Sequence, residues 1–196
     1  MIRLAIVGDI GSGKSHVARQ FGFPVFNADA EVSKLYKKSR KCYVKLKKEI
    51  PDHITSFPIQ KYKLSKAIIA NKNNLKKIIK IIHPEIEKKI KNFIKKNKNK
   101  KIVILDIPLL MENKINKKSD IIIFVDAPKK EINKRLKKRV NFNPKIVKKL
   151  KKLQLPIELK KRRSDFILKN NFNNKYVKKN VNILKKKILF NVRNYT

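Results

Sequence analysis

Residues Gly8-Asp9-Ile10-Gly11-Ser12-Gly13-Lys14-Ser15 constrain this chain more than any other segment. They follow an apolar run, Arg3 to Val7, and precede Val17, Ala18 and Phe21 at helical spacing. An apolar run ending in glycine reads as a buried strand. The spacing G-x-x-x-x-G-K-[ST] between a strand and a helix marks a turn whose backbone N–H groups curl around phosphate oxygens. The helix N-terminus adds its dipole. Lys14 is spaced to reach the β- and γ-phosphates, and the Ser15 hydroxyl to ligate a divalent cation. The segment predicts a nucleoside-triphosphate site. Asp9 adds a carboxylate beside it. Facing outward it is harmless, facing inward it repels the ligand, and the spacing leaves both open.

Beyond this turn, strand and helix patterns alternate. Short apolar runs stand at Pro24-Val25-Phe26, Ile102 to Leu105, Ile121 to Val125 and Phe166-Ile167-Leu168. Helical periodicity covers Asp29 to Lys38 and Leu75 to Ile82, and Pro84 sits where a new helix starts, with Ile86, Ile90, Phe93 and Ile94 as its stripe. Residues 40–70 read as helical, broken near Pro51 and Pro58. Glu131 to Lys138 is helical, and Lys175 to Phe190 is the last helix. Between them, Asn141 to Pro156 predicts one helix with Ile146, Val147, Leu150 and Leu153 inward, stopped at Pro156. The pattern predicts an α/β fold, a five-stranded, mostly parallel sheet covered by helices on both sides. No repeat or linker divides the 196 residues, so one domain over 1–196 is expected, with a helical region at about 30–98.

The net charge of +39 raises a nucleic-acid reading. The charge is diffuse, however, whereas nucleic-acid sites mix arginine and aromatics in a patch. The chain holds 45 Lys, 28 Ile and 20 Asn, all with A/T-rich codons, and they are spread over its whole length. A drifted surface accounts for this, with weak, non-specific nucleic-acid binding as its consequence. Cys42 is the only cysteine, which excludes an intramolecular disulfide framework and a Cys-rich zinc site, and a reducing cytoplasm is the expected compartment. No apolar run reaches the roughly 18 residues of a membrane span, and the first residues lack a signal peptide's pattern.

Two carboxylates stand at predicted strand ends. Asp29, in Asn27-Ala28-Asp29, follows the second strand at the edge where substrates bind in such sheets. It suits a group that accepts a hydroxyl proton, and equally a helix cap. Asp106 ends the third strand and suits either a Mg²⁺-shell carboxylate or a strand-end cap.

The order of motifs resembles the dephospho-CoA kinase family. Gly8 to Ser15 match its phosphate loop except at Asp9, and Asn27-Ala28-Asp29 match its D-A-D with the first Asp lost. His83-Pro84 and Pro108-Leu109-Leu110-Met111-Glu112 follow, then Arg135 and Arg139 four residues apart, Gln154, and Ser164-Asp165-Phe166-Ile167-Leu168-Lys169-Asn170. The resemblance implies a P-loop kinase three-layer fold with helical substrate-binding and lid insertions, the lid at about 139–158. It implies ATP as co-substrate with Mg²⁺, and phosphorylation of the ribose 3′-hydroxyl of dephospho-CoA to coenzyme A. Gly8, Gly11, Ser12, Gly13, Lys14, Ser15 and His16 would hold ATP, and Ser15 and Asp106 the metal. Lys14, Asp29, Arg135 and Arg139 would carry the transfer. Lys61, His83, Pro108, Leu109, Leu110 and Glu112 would line the dephospho-CoA side, although His83 also suits a structural helix-junction role. The chain departs from the family where a Gln gives way to Ile132, an Arg to Lys61, and a Gly near the last strand to Asn171-Phe172. Another nucleoside or nucleotide kinase, or a basic nucleic-acid-binding NTPase, is the alternative. A monomer or small homo-oligomer is expected.

Overall fold

The computed structural model describes residues 1–140 and 142–193, the last three by backbone alone. Asn141 of the expected lid and residues 194–196 of the expected single domain lie outside the described residues. The chain divides into two compact units: residues 1–27, 97–142 and 151–196 form the first, and 28–96 with 143–150 the second.

The first unit is built on five strands: β1 Ile2–Gly8, β2 Val25–Asn27, β3 Ile102–Asp106, β4 Ile121–Asp126 and β5 Phe166–Lys169. They run in the order β2-β3-β1-β4-β5, and every neighbouring pair is parallel. The β1 and β3 sequences, Ile-Arg-Leu-Ala-Ile-Val-Gly and Ile-Val-Ile-Leu-Asp, are near-continuous apolar runs, because a parallel sheet is covered on both faces. On one face Leu4, Ile6, Ile104 and Ile123 pack with Val17 and Ala18 of α1 (Lys14–Gln20), with Phe21 just after it, and with Val177, Val181 and Ile188 of the helix at Asn174–Arg193. A short helix at Ile157–Arg162 packs against β1. Lys129–Lys137 is a further helix of this unit.

The second unit is helical: α2 Ala28–Lys38, α3 Arg40–Glu49, α4 Lys61–Ala70 and α5 Lys72–Lys96, with α2, α3 and α4 packed on α5. In chain order the remaining helices are α6 Lys129–Lys137, α7 Pro144–Lys151, α8 Ile157–Arg162 and α9 Asn174–Arg193. Ile78, Ile82, Ile86 and Ile90, four apart, form the buried stripe of α5. Lys149 of α7 donates to the carbonyls of Ile68 and Ile69, which the end of α4 leaves without helical partners.

Three expectations change. Pro84 does not begin a new helix; it lies inside the continuous α5. Pro removes one helical hydrogen bond, but the unbroken stripe on either side keeps both halves in line. The helix expected to run to Pro156 ends at Lys151, and none of its residues is fully buried: Ile146, Val147 and Leu150 are half-buried, and Leu153 lies beyond it. Pro156 instead precedes α8, which periodicity did not register because its six residues are too few to repeat.

Candidate active site

Parallel pairing decides where the chemistry gathers. In register, Ile6 of β1 stands opposite Asp106 of β3, and Asp106 opposite Asn27 of β2, so β2 and β3 finish level and β1 runs two residues beyond them to Gly8. The chain passes from β1 to β2 across the position of β3 and later returns to the other side with β4. This reversal opens the crevice at which open α/β sheets take their ligands.

The loop at Gly8–Ser15 fills that edge. Gly13 has φ 88°, and a Cβ there would collide with Asn170 Nδ2. At Gly8 a Cβ would stand 2.8 Å from the Val125 carbonyl oxygen and 2.9 Å from Ser12 Oγ. Neither position has room for a side chain. Lys14 is buried and folds back across the loop, donating to the Asp9 carbonyl at 2.8 Å and the Gly8 carbonyl at 3.3 Å. Ser12 Oγ is buried and has no hydrogen-bond partner among the described residues. His16 sits half-buried in the first turn of α1.

Asp9 is tucked into the loop. The residue is 7% exposed, and its carboxylate accepts the Ile10 N–H at 2.7 Å and lies 3.5 Å from the ammonium of Lys151. Asn27 joins the two expected metal ligands. Its Nδ2 donates to Ser15 Oγ at 3.2 Å and to a carboxylate oxygen of Asp106, which is buried. A hydroxyl and a carboxylate held one side chain apart are hard oxygen donors. They fit Mg²⁺, which takes few protein ligands and completes its shell with phosphate and water oxygens.

Pro108 to Glu112 follow β3. Leu110 is fully buried and belongs to the packing. The Glu112 carboxylate is taken up by the buried ammonium of Lys160 at 2.8 Å and the Leu155 N–H at 3.0 Å, and Gln154 Nε2 lies 3.5 Å from the Pro108 carbonyl. Ile132 is 3% exposed, and its side chain borders Gly11; where the family has a glutamine, this chain packs the loop with an aliphatic group. Arg135, exposed near the end of α6, stacks on the Phe172 ring with its guanidinium carbon 4.6 Å from the centroid. Arg139 is exposed two residues beyond α6.

Three expected site residues belong to the second unit. Asp29 is exposed in the first turn of α2, and Lys61 is exposed at the start of α4. His83 lies in α5 with Nδ1 3.3 Å from Glu87 and a buried Nε2 that has no partner among the described residues. Sequence reasoning gave no site role to Asn27, Lys151, Lys160 or Phe172, although Asn27 and Phe172 stood out as departures from the family pattern. Asn27 was visible as a neutral residue in an acidic motif. Nothing in the pattern distinguishes Lys151 and Lys160 from the other lysines.

A glycine loop with lysine and serine at the reversal point of a five-stranded parallel sheet, beside an Asn–Asp pair on the next strands, defines a P-loop phosphotransferase. The sequence profile of dephospho-CoA kinase matches residues 2–175. The dephospho-CoA kinase of Bartonella quintana is 37% identical over 170 residues, 84% of this chain and 87% of its own. That of Wolbachia pipientis wMel is 34% identical over 179 residues, 89% of this chain and 91% of its own. In fold, the chain is similar to TT1252 from Thermus thermophilus, with TM-score 0.72 at 24% identity over 97% of both chains. This chain belongs to the dephospho-CoA kinase family. It is a kinase with ATP as co-substrate and a small molecule as acceptor. Among the described residues no helix is long and apolar enough to cross a membrane.

Proposed function

We propose that this kinase transfers the γ-phosphoryl group of ATP to the ribose 3′-hydroxyl of dephospho-CoA, giving ADP and coenzyme A, the final step of coenzyme A biosynthesis. The observation that carries the reading is the cluster of Lys14, Ser15, Asn27 and Asp106 at the carboxyl edge of β1, β2 and β3, in a chain that matches the family over residues 2–175. The 3′-oxygen bonds to the γ-phosphorus as the bond to the β–γ bridging oxygen breaks, and the hydroxyl proton leaves to a base.

Backbone N–H groups of Gly8 to Ser15 hold the phosphates. Lys14, which donates to the Gly8 and Asp9 carbonyls, exchanges them for β- and γ-phosphate oxygens. Ser12 Oγ, already desolvated, gains a phosphate acceptor. Ser15 and Asp106 would hold Mg²⁺, which when bound offsets phosphate charge. Arg135 and Arg139 add positive charge over the phosphates as the lid at about 139–158 closes and excludes water. Asp29 orients the 3′-hydroxyl and accepts its proton. Lys61, His83 and Pro108 to Glu112 shape the acceptor side, Glu112 through its pairing with Lys160. The free, buried thiol of Cys42 suits the reducing cytoplasm in which we expect the enzyme to work.

A coupled assay of ADP release tests this with ATP, Mg²⁺ and dephospho-CoA. ADP should form only when the acceptor is present. Lys14→Ala should lower turnover by roughly two orders of magnitude, as when one charge-stabilising donor is removed. Undiminished turnover in Lys14→Ala, or ADP release indifferent to dephospho-CoA, would refute the reading.

A further inference from the structure

Phe172 stands in the left-handed backbone region, φ 64°. For a bulky side chain that is a true outlier, and such strain persists only where the surroundings hold it. Asn170 supplies the hold. Its own N–H donates to the Asp126 carbonyl at 2.7 Å, and its Oδ1 accepts the Phe172 N–H at 2.9 Å. Its Nδ2 donates to the Ser12 carbonyl of the phosphate loop at 2.7 Å, and the residue is 1% exposed. The ring is thereby set against the loop: Phe172 Cε1 lies 3.4 Å from the position a Cβ on Gly13 would take. On this ring rests the guanidinium of Arg135, 4.6 Å from the centroid and within cation–π range.

Arginine carries much rotamer freedom, and a group that must be ordered when ligand arrives weakens binding by that ordering. We propose that Phe172 is the positioning residue for Arg135: its ring holds the guanidinium beside the phosphate loop before the donor nucleotide binds. The inference rests on the donor-side role given to Arg135 above.

The test is steady-state kinetics with each substrate varied in turn at saturation of the other, together with thermal melting, on Phe172→Ala, Phe172→Gly, Phe172→Tyr, Arg135→Ala and the double variant Phe172→Ala/Arg135→Ala. Loss of the ring should lower kcat/KM for ATP about three- to tenfold, chiefly through KM. The KM for dephospho-CoA should stay unchanged, and Phe172→Tyr should restore the ATP value. Phe172→Gly should melt above Phe172→Ala, since glycine accepts φ 64° without strain, yet share its KM. The double variant should be no worse than Arg135→Ala. A raised ATP KM in Arg135→Ala beside an unchanged one in Phe172→Gly overturns the positioning role alone. A KM that follows melting temperature across the series also overturns it. An unchanged ATP KM in Arg135→Ala overturns the donor role of Arg135 and this inference together.

Discussion

At Asp9 the phosphate loop carries a charge of the wrong sign for its ligand. The structure resolves what spacing left open: the carboxylate is drawn onto the Ile10 N–H and faced by Lys151. Lys151 therefore offsets the charge of Asp9. Replacing Lys151 by Ala should raise the ATP KM about two- to fivefold, the range of a half-exposed ion pair, and should do little in an Asp9→Gly background. Nucleotide titration of the four proteins measures the coupling; equal losses in both backgrounds would dismiss it. Asp29 poses a different question, because a carboxylate in the first turn of α2 also favours the helix. Asp29→Asn keeps the shape and removes the base. Its kcat should fall by about 10² or more with little change in ATP KM. Retained kcat with a lowered melting temperature would return Asp29 to the helix end.

The elements hold a second charged pair away from the chemistry. Arg3 on β1 meets Asp120, just before β4, at 2.8 Å, and Asp120 also accepts the Lys117 N–H. Both side chains are buried, and Asp120 Oδ1 has no partner among the described residues. Burial pushes the Asp120 carboxyl above its ordinary value, outweighing the Lys117 N–H and Arg3 that draw it down. Asp120→Asn leaves Arg3 without its counter-charge, whereas Arg3→Met/Asp120→Asn removes both buried charges together. A group whose folded pKa is raised lends its full stability below the ordinary carboxyl value and loses it as pH rises through the raised one. The double variant should therefore gain on the natural protein as pH rises from about 4 upward. Melting curves at several pH values check this, and a gap that narrows with rising pH would contradict it. Element boundaries follow the same logic of local against distant forces. Strands β1, β3 and β4 were legible because buried parallel strands are apolar throughout. The join of α5 across Pro84 and the presence of α8 were not, since tertiary packing maintains the first and α8 is one and a half turns long.

For the whole molecule, the charge of +39 is the dominant long-range property. Its ammonium groups are deployed in several local roles: Lys149 on the end of α4, Lys160 in the buried pair with Glu112, Lys185 on the Phe21 carbonyl and over the Phe23 ring. A surface of this kind attracts any polyphosphate. We expect weak RNA binding that is equal for two unrelated sequences and falls at least roughly tenfold between low and near-physiological salt. RNA should not stimulate ADP release. Filter binding at two salt concentrations, with ADP release alongside, tests both statements. Sequence-selective binding that survives physiological salt would instead assign the charge a dedicated partner.

By itself, the sequence determined the fold class, the phosphate loop and the family, because each is written in short-range spacing. A glycine turn, an apolar run and a four-residue helical repeat depend on neighbours a few positions away. Tertiary structure alone decided how Asn27 bridges Ser15 and Asp106, partners 12 and 79 residues distant. It also decided which lysine faces Asp9 and which is buried against Glu112, and that the Phe172 ring lies under Arg135. Those contacts follow from strand order, register and the turn beyond β5, which bring distant residues to one edge of a sheet. Among 45 chemically identical lysines, only that geometry makes two of them different.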